Sequence, residues 1–202
     1  MATTNTTPTP TNWVVVDVET SGTDPQTCRV LSIAALALNP DGTIGDSLVS
    51  LLNPDVDPGP THIHGLTRHT LAGQPQFSDI APALMTLLAD RILVAHNAAF
   101  DYAFLAAEAH RANLTLPTSQ VLCTVELATR LNLDTDNLKL ATLAQHWDIP
   151  QSRPHDALDD AAVLARVLTH ALAVAADQHT VVPIRPPSTL PAPTFTPRTA
   201  AA

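Results

Sequence analysis

Residues Trp13 to Gly22 read WVVVDVETSG, an apolar, β-branched run that ends in two carboxylates, Asp17 and Glu19. Side chains alternate faces along a strand, so Asp17 and Glu19 share one face while Val16 and Val18 share the other. Any fold of this chain must therefore bring two like charges to the end of a strand whose remainder needs burial. Two carboxylates that close raise each other's pKa or take a cation between them, and hard divalent ions such as Mg²⁺ prefer such oxygen ligands. Taken alone, the pair reads first as an acidic strand end facing water.

The chain in order predicts an α/β domain with a mixed sheet. After the turn residues Ser21 to Pro25, Val30 to Leu38 reads as a second strand and Leu48 to Leu52 as a third, with Asn39-Pro40-Asp41-Gly42 turning between them. Connections this short make an antiparallel meander. From Ser78, a candidate N-cap, the period changes: Ile80, Leu84, Leu87 and Leu88 recur at helical spacing. Short apolar runs at Ile92 to Ala95 and Val121 to Cys123 then alternate with helical stretches, the last from about Asp156 to Ala175. Strands alternating with helices make parallel units. Residues 12–176 are read as one domain, between an N-terminal tail at 1–11 and a proline-rich tail at 177–202, both expected to be disordered.

Composition narrows the classes. A length of 202 residues, 45 % of them hydrophobic, suits one domain with a sizeable core. Two cysteines, Cys28 and Cys123, are too few for a disulfide framework. Neither a leader nor about 18 consecutive apolar residues is visible, so a cytoplasmic protein without membrane association is expected. The formal charge is −9 and the ten basic residues are scattered. That lacks the footprint of a protein gripping long nucleic acid through its phosphates, but leaves room for one that handles a strand end through metal ions.

Two further acidic sites stand at predicted helix starts. In AHNAAFD, residues 95–101, Asn97 can cap the helix and Asp101 falls in its first turn, with Phe100 and Phe104 on one stripe. In RPHDALDDAA, residues 153–162, Asp160 shares a stripe with Ala157, Ala161, Leu164 and Leu168, whereas Asp159 falls with Arg166 and His170. Acids in a first turn often do no more than complement the helix dipole. An acid on the buried stripe needs a partner, which makes Asp160 a better ligand candidate than Asp156 or Asp159. His62 and His64, in THIHGLT, lack the further ligands of a zinc site and read as loop residues.

In order and spacing DVETSG, HNAAFD and HDALDD resemble the three motifs of the DEDDh family of 3′→5′ exonucleases, whose best-known member is the proofreading epsilon subunit of bacterial DNA polymerase III. THIHGLT and LVAHN are similar too, so the resemblance spans about residues 13–172. One departure is Ser32, in VLSIAAL, where many relatives have a glutamate. The resemblance implies a ribonuclease H-like fold, here with a mixed five-stranded sheet flanked by helices. It carries metal-ligand roles onto Asp17, Glu19, Asp101 and Asp160, and general-base catalysis onto His155. The H-x-x-x-x-D spacing of His155 and Asp160 matches the histidine group rather than its tyrosine sister.

What the family implies for function follows the same residues. Two Mg²⁺ or Mn²⁺ ions serve hydrolysis of the last phosphodiester, releasing nucleoside 5′-monophosphates from the single-stranded or frayed 3′ end of DNA in proofreading or repair. Thr20, His64, Asn97 and Phe100 are expected to border the terminal nucleotide, and a DNA polymerase is a candidate partner. RNA trimming by the same chemistry is the alternative, and a non-catalytic strand-end or polymerase-docking module is the rival of another class.

Overall fold

The computed structural model describes residues 12–193, and the expected tail at 1–11 lies outside them, as does 194–202. β1 (Trp13–Thr20), β2 (Val30–Leu38) and β3 (Ile44–Leu51) form the predicted antiparallel meander. β4 (Ile92–Ala95) and β5 (Val121–Cys123) extend the sheet in parallel from β1. Short helices α1 (Thr61–His64) and α2 (Arg68–Leu71) follow the meander, and α3 (Phe77–Leu88), α4 (Ala98–Arg111), α5 (Thr124–Leu131), α6 (Leu140–His146) and α7 (Ala157–Asp177) fill the connections.

The sheet order is β3-β2-β1-β4-β5-β6, six strands against the five expected. The sixth, β6 (Ile184–Arg185), comes from the segment predicted to be a disordered tail. That expectation fails for residues 177–185. α7 runs on through Asp177, and β6 pairs antiparallel with β5. Without β6, β5 would be an open edge with unpaired backbone groups, and capping such an edge is favourable even with two residues. Val182 and Ile184 pack on the core, and Arg185 pairs with Glu126 of α5. The start of α3 is also displaced: Gln76, not Ser78, is the N-cap, because the Asp79 carboxylate takes the Gln76 N–H at 2.8 Å.

The two faces of β1 explain the layering. Val14, Val16 and Val18 join Ile33, Ala35 and Ala37 of β2 in a core closed by α3 and α4, through Leu84, Leu88, Phe104 and Leu105. Trp13 and Val15, with Ala34 and Leu36, face the other way, onto Ala161, Leu164 and Leu168 of α7. All of β1 and β2 is buried, as continuous apolar runs rather than alternating ones require. Asp17 and Glu19 continue the α7 side of β1, so the strand delivers both acids toward the start of that helix.

A buried ion pair joins the layers. Glu108 of α4, 1 % exposed, takes Arg29 in a two-pronged contact at 2.7 and 2.9 Å and also accepts the Val30 N–H at 3.1 Å. Arg111 lies 3.5 Å from the same carboxylate and donates to the carbonyls of Pro25 and Gln26. The turn after β1 is thereby tied to the helix that carries Asp101.

Candidate active site

Three chain segments meet at the carboxyl end of β1. Glu19 arrives on the strand, next to a register slip between Glu19 and Thr20 in the ladder with β2. Irregularities of this kind re-aim side chains where ladders end, and they recur beside active sites. Asp160 arrives on the first turn of α7, and His155 on the loop before that helix. Ligand atoms of Glu19, His155 and Asp160 all lie within 4.8 Å of one another. Glu19 and Asp160 are both 4 % exposed, whereas His155 is half-buried.

Asp17 and Asp101 stand outside that tight group. Asp17, 5 % exposed, is two residues back on the same face of β1. Asp101, 4 % exposed, is on the first turn of α4, just past the end of β4. β1 and β4 run in parallel and are paired, so their carboxyl ends lie side by side. The acids of all three motifs thus gather at one edge of the sheet.

Asp160 and its acidic neighbours take different hydrogen-bond partners. Asp156 caps α7, its Oδ1 accepting the Asp159 N–H at 3.1 Å. Asp159 accepts the N–H groups of Ser152 and Arg153 at 3.0 and 2.9 Å. Asp160 accepts the His155 N–H on Oδ2 at 3.1 Å and the Gln151 Nε2 on Oδ1 at 2.6 Å. His155 itself has φ +66°, a left-handed conformation that side chains disfavour and that surrounding contacts must hold. Gln151 had no signal in the sequence, because its link to Asp160 reaches nine positions from a loop into α7 and follows no helical or strand period.

The residues expected to border a nucleotide take diverse positions. Thr20 is buried, its Oγ1 donating to the Gly22 carbonyl at 2.6 Å. Asn97 is the left-handed N-cap of α4, at φ +79°. Phe100 is half-buried, its ring 4.8 Å from that of Phe104 and packed against the core. His96 bonds through Nδ1 to Thr124 Oγ1 at 3.0 Å and so ties the ends of β4 and β5 together.

His64 is buried and serves the loop. Its Nδ1 accepts the Leu66 N–H at 3.0 Å, so Nε2 carries the proton it gives to the Pro58 carbonyl at 3.2 Å. Burial pushes its pKa below the usual value; the Pro58 bond opposes this, and His62 and His155 add to it. Gly59 and Ser21 bring this loop against the end of β1. Gly59, at φ +74°, fixes the approach: a Cβ there would stand 2.1 Å from the Ser21 carbonyl oxygen. Only glycine lets the loop come so close to the end of β1.

Residues 14–168, well over half of the chain, match the family model described as Exonuclease. The chain belongs to the exonuclease family. Among its relatives is the PolC-type DNA polymerase III of Clostridium perfringens, 35 % identical over 158 residues, covering 77 % of this chain and 11 % of that protein. The 3′-5′ exonuclease DinG of Bacillus subtilis is 29 % identical over 163 residues, covering 79 % of this chain and 17 % of that one. Exonuclease X in complex with 5′-overhanging duplex DNA superposes with a TM-score of 0.63 at 26 % identity, covering 84 % of this chain and 95 % of that one. The chain spans 11 to 26 % of the length of the curated relatives it matches first. The exonuclease domain has the fold its motifs implied, a mixed sheet flanked by helices with the acids at its edge.

The donor set fits a divalent cation. Carboxylate oxygens gathered with one imidazole suit hard or borderline divalent ions, and their burial makes a cation the favourable way to offset the shared charge. Among the described residues no helix is long and apolar enough to cross a membrane.

Proposed function

We propose that the chain is a metal-dependent 3′→5′ exonuclease that removes nucleoside 5′-monophosphates one at a time from a DNA 3′ end. The observation that carries this reading is the convergence of Glu19, His155 and Asp160 within 4.8 Å, at the sheet edge that Asp17 and Asp101 also approach. Asp17, Glu19, Asp101 and Asp160 would hold two Mg²⁺ or Mn²⁺ ions. Such ions supply Lewis acidity at the phosphate and acidify an attacking water.

The chain's own residues do the rest. A ring nitrogen of His155, beside the carboxylates, takes the proton of the attacking water; its loop is fixed to α7 through Asp159 and Asp160. The ring of Phe100 offers a face to the terminal base, and the backbone of Thr20 meets the terminal 3′-hydroxyl. His64 acts from behind, holding the Pro58 to Leu66 loop against the site. Contacts confined to the last few nucleotides suit the −9 charge and predict distributive digestion. The named polymerase and exonuclease relatives support a DNA substrate and a polymerase as partner.

The test uses matched DNA and RNA oligonucleotides labelled at the 5′ end. DNA should shorten stepwise to 5′-monophosphates, faster from a mismatched than from a paired terminus, and a 3′-phosphate should block it. Preference for RNA, or cutting from the 5′ end, overturns the assignment.

A further inference from the structure

Asp160 is held by a side chain that the chemistry itself does not require. Gln151 donates from Nε2 to Oδ1 at 2.6 Å, while the His155 N–H holds Oδ2 at 3.1 Å. An ionised carboxylate offers about four lone-pair sites, two on each oxygen. The two bonds take one site on each oxygen. They also fix the plane of the carboxylate, since rotation about Cβ–Cγ would break one bond or the other.

The donors belong to one loop tied to the start of α7. Ser152 and Arg153 give their N–H groups to Asp159, and the Arg153 guanidinium lies 3.3 Å from Asp156. The backbone next to Gln151 is therefore anchored, and Gln151 itself is half-buried. Being neutral, it orients Asp160 without adding a charge that would compete with a cation. An arginine or lysine there would compete with the metal.

We propose that Gln151 is a positioning residue for Asp160, setting the carboxylate plane toward the bound cation and thereby the affinity of the site for divalent metal. The inference rests on the reading of this cluster as a metal site. Groups that orient a ligand in this way change metal affinity or activity by about 10- to 100-fold when removed.

The experiment measures Mn²⁺ binding to the full chain by calorimetry, without substrate, for the unaltered protein, Gln151→Leu and Gln151→Met. Circular dichroism selects the variant that keeps the fold. The expected result is a Kd for Mn²⁺ raised about 10- to 100-fold. In the same variant kcat should return at high Mn²⁺, with KM for a DNA oligonucleotide unchanged. An unchanged Mn²⁺ Kd overturns the proposal, and a raised KM with unchanged Mn²⁺ binding would move Gln151 to the substrate. If the unaltered protein bound no Mn²⁺, the metal-site reading would fail instead, and the two failures are told apart in one titration series.

Discussion

Glu19 of β1 stands directly opposite Ser32 of β2, both buried, at the last regular register position before the ladder slips at Thr20. Directly opposed residues project to the same face of a sheet, so the Ser32 side chain lies beside the acidic cluster. A glutamate in place of Ser32 would add another carboxylate next to Glu19. Serine leaves the cluster with one negative charge fewer than a glutamate would.

Metal should stabilise the fold as well as drive the reaction. At Mn²⁺ 100-fold above its Kd the gain is about 2.7 kcal/mol. For a domain of this size that is a rise in Tm of about 5–10 °C by scanning calorimetry. EDTA should remove the rise and stop digestion together. Asp17→Ala should lose turnover yet melt no lower than the parent in EDTA, because one charge has left a repelling group. Activity persisting in chelator would refute the metal reading.

His155→Ala should lower kcat by about 10²- to 10⁴-fold, the usual worth of a general base. Mn²⁺ affinity should change little, because the backbone N–H that holds Asp160 survives the substitution. A parallel loss of Mn²⁺ binding would make the imidazole a ligand rather than a base.

His64 gives the fold an acid-sensitive point. Burial lowers its folded pKa beneath the ordinary value of 6.5, so the unfolded chain binds the proton more readily. Stability should thus be unaffected by this group above about pH 6.5 and fall as pH drops below it. Protonation would also remove the acceptor for the Leu66 N–H. In His64→Gln the fall of Tm between about pH 7 and 5 should be shallower than in the parent. An equal slope would place the acid sensitivity elsewhere.

Glu108→Ala leaves Arg29 without its two-pronged partner and the Val30 N–H without an acceptor. Breaking a buried pair from one side costs about 3–5 kcal/mol. Arg29 and Arg111 are 25 and 29 % exposed and can turn to water, which points to the lower end. Urea denaturation should report the loss, and Glu108→Gln should recover part of it by keeping an acceptor for Val30.

The sequence by itself determined the layers and the main ligand candidates. Period-2 alternation put Asp17 and Glu19 on one face of β1, and the stripe of Ala157, Ala161 and Leu164 selected Asp160 over Asp159. Both are local periodicities, which a chain carries before it folds. Tertiary structure alone decided which groups come within 4.8 Å, since Glu19, His155 and Asp160 meet only when α7 packs on β1. It also decided the loop contacts: Gln151 on Asp160, His64 between Pro58 and Leu66, Gly59 against Ser21, and β6 on the edge of β5. Those contacts have no period, because each depends on where a loop is returned by the elements at its two ends.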